Sequence, residues 1–162
     1  MKVEEKNYLD VKKMLDAARL QRTTGQPSFG QQRDTALFFE LNVRLAELLG
    51  NFNRKKGIDF MDDFCLSAAA FLKIANEKKW TYLVLLTDKK ISILEQKDKS
   101  KFIAQDYLIL QKMLNKSYFE RNAPAFVHAW HIFIKLGLVD FKFSATEIEN
   151  AFLKKLMEGK KN

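Results

Sequence analysis

Four carboxylates are placed where this chain could gather hard oxygen ligands. Glu40 and Glu47 lie in DTALFFELNVRLAELLG (34–50), and Asp62 and Asp63 lie in FMDDFCLSAAAFLKIANEKK (60–79). Mg²⁺ binds oxygen, commonly one or two carboxylates together with substrate phosphates. Glu40 and Glu47 are seven residues apart, about two helical turns, so their side chains point to the same side. If the two segments are antiparallel helices across the basic connection 51–58, the four acids can face one another around a metal. The ordinary reading stands beside this one. Asp62 and Asp63 suit the first turn of a helix, where the dipole favours negative charge, and Glu47 suits a solvated face.

The remaining candidates are weaker. His128 and His131 are three apart and could share a metal, but no Cys pair or Glu-His motif completes a zinc site. Trp130, Phe126 and Phe133 around them point instead to aromatic packing. Cys65 lies between Phe64 and Leu66, the setting of a buried, inert thiol. Neither GxxxxGK[ST] nor GxGxxG occurs, so no glycine-rich phosphate loop is expected.

The elements that must position these residues read as helices. The chain has 162 residues with 47% apolar content and 14 Phe, but only 6 Gly and 2 Pro. That is one domain's length with ample core material and little turn punctuation, which favours an all-α fold. Leu37, Phe38, Leu41, Leu45, Leu48 and Leu49 repeat at the spacing of one helix face. Asp34 is the expected N-cap of that helix and Gly50 its left-handed stop. A helix over 4–22 should precede it, beyond a loop at 23–30. A third helix should start at Asp59 as N-cap, with Phe60, Phe64, Ala68, Phe71, Leu72 and Ala75 inward. The stretch 80–101 reads either as a short hairpin near 82–94 or as helix, loop, helix. Helical spacing returns at Phe102 to Leu114, and again after Pro124 with Gly137 as the stop. Ser144-Ala145-Thr146-Glu147 is a capping box, with Phe143 and Ile148 as the staple, opening a last helix toward Gly159. The expected architecture is a single all-α domain, 1–162, of five or six helices.

The formal charge is +8, spread in small lysine groups rather than one arm. Nucleic acid is therefore the less favoured partner. No run of about 18 apolar residues suggests a membrane span. The N-terminus lacks a signal-like apolar region, and the lone cysteine suits a reducing compartment, so a cytoplasmic setting is expected.

ALFFELNVRLAEL, a basic turn, then DDFCLSAAAFLKIANEKKW resembles the second and third helices of the all-α nucleoside triphosphate pyrophosphohydrolases. The likeness is to the dimeric dUTPase branch of the MazG-like superfamily. GLVDFKFSATEIENAFLKKL is similar to the closing segment of that family. The resemblance spans residues 9 to 158. It implies a homodimer, a nucleotide as partner, and Mg²⁺-dependent cleavage between the α and β phosphates, with lysines near the last helix steadying phosphates. Glu40 falls on the first glutamate of the family's ExxE, Glu47 on the acid of the following NE pair, and Asp62 and Asp63 on the paired acids opening the next helix. Lys154 and Lys155 match the closing lysines. The second glutamate of ExxE falls on Val43 and the closing aspartate of ExxD on Leu66. Asn51 to Arg54 replace the aromatic and lysine positions, and Leu156 replaces an asparagine. Asp59 and Asp62 have ExxD-like spacing, but Asp59 is better explained as an N-cap. The resemblance therefore implies a retained fold with a degraded metal site and weak or no activity.

Overall fold

The computed structural model describes residues 9–20 and 32–159. Seven α-helices follow one another: α1 (Val11–Leu20), α2 (Arg33–Gly50), α3 (Ile58–Lys78), α4 (Asp88–Glu95), α5 (Ile103–Phe119), α6 (Ala123–Lys135) and α7 (Ala145–Gly159). A 3₁₀ turn at Thr81–Leu83 precedes α4, and a π-helical turn at Leu136–Asp140 extends α6. No strand occurs among the described residues. The all-α expectation holds, with seven α-helices among the described residues against an expected five or six. None of the described helices is long and apolar enough to cross a membrane.

Of the two readings open for 80–101, the hairpin near 82–94 does not form; a 3₁₀ turn and α4 stand there. Thr87 caps α4 by accepting a hydrogen bond from the Lys90 N–H at 3.1 Å, and Ile91 and Leu94, three apart on one face, are both buried. Val84 and Leu86 are also buried. Short apolar runs carry no period that separates strand from helix; the cap and the burial of alternate turns decide for the helix.

α3 is the centre of the molecule, packed against α1, α2 and α7. Residues Ser67 to Leu72 are buried without a break. Six consecutive buried residues exceed a full turn, so the helix is enclosed on all sides. Ser67, Ala68, Ala69 and Ala70 let neighbouring helices approach closely. α2 lies antiparallel to α3: Asp34 meets Lys78, while Glu40, farther along α2, meets Lys73, farther back on α3. α5 also packs on α2; Thr35 Oγ1 and the Tyr118 hydroxyl are 2.6 Å apart.

Aromatic rings fill the space between α3 and α6. Phe64 stacks on Phe133 with centroids 4.4 Å apart, and Phe71 packs on Trp130 at 5.4 Å. The Trp130 indole N–H donates to the Val84 carbonyl at 2.9 Å, so this buried polar atom is satisfied.

Several helix ends differ from expectation. α2 begins at Arg33, with Asp34 inside its first turn rather than capping it. Gly50 is its last residue, and Asn51 follows with φ −97°. α3 begins at Ile58 with Gly57, φ 66°, in the cap position that Asp59 was expected to fill. Gly137 does not stop α6 through a left-handed turn. It lies in the π-helical segment, and a Cβ there would stand 2.4 Å from the Phe64 ring, so close approach explains the glycine. The serine half of the capping box is formed: Glu147 N–H donates to Ser144 Oγ at 3.0 Å. The loop expected at 23–30, and residues 4–8 and 21–22 of the first helix expected over 4–22, lie outside the described residues.

Candidate functional site

The antiparallel pairing of α2 with α3 sets where the expected acids fall. Glu40, Val43 and Glu47 share one side of α2, within about 60° at 100° per residue. On α3 the stripe holding Asp62 continues through Leu66 and Ala69 to Lys73, within about 60°. Val43 and Leu66 thus stand on the same stripes as these acids. Val43 is exposed and Leu66 half-buried.

Each acid has a cation beside it. Glu40 Oε1 accepts from Lys73 Nζ at 3.3 Å, with both side chains largely shielded from solvent. Its second oxygen, Oε2, is buried without a hydrogen-bond partner. Glu47 lies 3.7 Å from Arg44 on its own helix and is exposed. Asp63 accepts from Lys55 at 3.1 Å. Asp62 lies 3.5 Å from Lys155 on α7, so that lysine is engaged by an acid, and Lys154 is exposed beside it. The structure therefore joins α3 to α7 through Asp62 and Lys155, and directs Glu47 and Asp63 to near neighbours in sequence.

This donor set does not fit a Mg²⁺ cage. Val43 and Leu66 offer no oxygen, and a metal would have to displace Lys73 from Glu40 and Lys155 from Asp62. Among the described residues no three His, Cys, Asp or Glu side chains are gathered as a metal-binding group. Chemically, the free oxygen of Glu40 remains an acceptor, but the neighbouring charge is an ammonium.

Lys73 also lines a polar cavity of about 190 Å³ with Arg19, Arg33, Asn76 and Glu77. Arg33 pairs with Glu77 at 3.0 Å, and Asn76 donates to the Leu15 carbonyl at 3.1 Å, leaving its own oxygen buried and unpaired. Sequence reasoning passed over Lys73. Its signal was a lysine in the middle of the apolar run FLKIA, where a charge survives only with a partner.

Cys65 is buried, and its thiol is pushed up to about 12, first by burial and then by the Asp62 carboxylate, with Lys155 acting in the opposite sense. It stays protonated and is no nucleophile. His131 is half-buried and lowered to about 4, first by burial and then by Lys90, His128 and Lys97. The His128–His131 pair is thus surrounded by positive charge, an environment that repels a metal cation.

No family model, curated protein or solved structure matches the chain.

Proposed function

We propose that this protein is a non-catalytic relative of the all-α nucleoside triphosphate pyrophosphohydrolases, of the MazG-like, dimeric dUTPase type. In this reading it binds nucleotide phosphates in the cleft beside α2 and α3 without cutting them. The observation that carries the reading is Lys73 against Glu40. An ammonium at this point attracts phosphate, but it does not lower the pKa of a bound water as a divalent metal does. Arg19 and Arg33 line the cavity beside Lys73, three cations against Glu77, which pairs with Arg33. The single buried Cys65 suits a cytoplasmic setting.

Pyrophosphate release from a panel of dNTPs and NTPs, dUTP included, tests this with and without Mg²⁺. The expected result is no Mg²⁺-dependent release, with nucleotide binding that Lys73→Met weakens. Mg²⁺-dependent turnover by the unaltered chain would overturn it. Val43→Glu with Leu66→Asp restores the two missing carboxylates; hydrolysis gained by that double variant would support the inherited cleft.

A homodimer is the second part of the proposal. Phe39 and Val43, four apart on α2, are 69% and 39% exposed, an apolar pair on the helix that carries Glu40. Binding to nucleic acid is the alternative to a nucleotide. It predicts affinity that falls steeply with added salt and extends to oligonucleotides of any sequence.

A further inference from the structure

α4 and α6 enclose a second cavity with the first half of α5, on a different set of elements from the α2–α3 cleft. Its volume is about 450 Å³, within the usual range of small-molecule sites. Lys90 from α4, Lys97 just after it, and His128, His131 and Lys135 from α6 line it, facing one carboxylate, Asp106 of α5. Leu94, Ile109 and Ile132 supply apolar wall.

The cations are not equally mobile. Lys135 Nζ donates to Ser100 Oγ at 2.9 Å and to Asp140 Oδ2 at 2.8 Å. The Asp140 side chain is only 4% exposed, and its other oxygen accepts from the Ser100 N–H at 2.7 Å. This network pins the 100-loop to the end of α6 and fixes one ammonium in the cavity wall. Lys97 is exposed and Lys90 half-buried, so both can reach an incoming anion. Asp106 is the discordant member. It is half-buried, and its Oδ2 has no hydrogen-bond partner. A buried acceptor left unpaired is costly, and a hydrogen-bond donor on a ligand would satisfy it.

We propose that this cavity binds a small phosphorylated molecule, its phosphate held by Lys90, Lys97 and Lys135 and a hydroxyl or amino group donated to Asp106. Burial first, and then the positive charge of Lys90, His128 and Lys97, lowers His131 to about 4; a bound phosphate offsets the charge part of that effect. Occupancy therefore moves the titration of His131 upward. This assignment does not depend on the pyrophosphohydrolase reading, because none of its residues belongs to the α2–α3 cleft.

Calorimetric titration with inorganic pyrophosphate and with ribose 5-phosphate tests the site, alongside histidine-ring NMR. Saturable binding of ribose 5-phosphate that shifts the His128 and His131 ring signals is expected. Lys97→Ala alone, and Lys90→Ala with Lys97→Ala, should weaken both probes, the double variant by at least about tenfold, since charge-assisted bonds to phosphate are lost. Asp106→Ala should weaken ribose 5-phosphate while pyrophosphate binding is kept. Lys112→Ala, at an exposed position of α5 outside both cavities, should change neither. Failure of both probes to saturate would overturn the assignment, as would binding that the lysine variants leave intact. Salt-sensitive binding of a single-stranded oligonucleotide in place of the small phosphates would likewise overturn it, in favour of a nucleic-acid surface.

Discussion

At the scale of single residues, burial decides what chemistry a side chain keeps. Cys65 is held near 12 by its surroundings, so a thiol reagent at pH 8 should label the protein only as fast as it unfolds. Rapid labelling of the folded chain would show that the thiol is reachable. His131 provides the pH-dependent case. Its pKa falls from 6.5 to about 4 on folding, so the unfolded chain binds more protons between those values. Stability contributed by neutral His131 is complete above 6.5 and is lost as the pH falls toward 4. Lys90, Lys97, Lys135, His128 and Asp106 line the same cavity. His131→Gln should flatten the pH dependence of the urea midpoint in that window, relative to the unaltered chain. Gly137 answers to packing rather than to turn geometry. Gly137→Ala places a methyl carbon where Phe64 stands, and overpacking of this kind costs about 1–3 kcal/mol, measurable by urea unfolding.

At the scale of elements, the helix with the clearest periodicity, α2, is not the one at the centre, which is α3. α2 has the clear one-sided stripe, because one of its faces meets solvent. α3 is uncharged all round over Ser67–Leu72 because that stretch is enclosed, and enclosure blurs the period that makes a helix legible. The pairing of the two helices depends on partly buried ions. Lys73→Met leaves the Glu40 carboxylate with a buried oxygen and no counter-ion, and should destabilise the fold by about 1–3 kcal/mol. Adding Glu40→Leu should restore much of that loss, because an apolar pair can replace a buried ion pair at little cost. A double-mutant cycle in urea reads the coupling. The start of α7 depends on local chemistry instead: Ser144→Ala removes the oxygen that accepts from Glu147 N–H and should cost about 1 kcal/mol.

At the scale of the whole molecule, buried residues from Leu9 to Leu156 form one connected core, and what lies outside it is basic and locally apolar. The exposed Phe39 and Val43 set the test of the proposed dimer. Light scattering after size exclusion should give twice the chain mass, and Phe39→Asp should return it to one. Monomer at all concentrations for the unaltered chain would remove the dimer from the proposal. Helicity, the capped start of α7, the apolar face of α2 and the burial of Cys65 were legible in the sequence. Each rests on spacing or on neighbours within a few residues, which a linear chain carries intact. The partners of the acids were not legible. Glu40 meets Lys73 from 33 residues away and Asp62 meets Lys155 from the far end of the chain. The cavity between α4 and α6 collects lysines that looked like scattered solvated charge. Charge in a sequence is only a count; distance and burial give it a partner and a role, and those come only when helices pack.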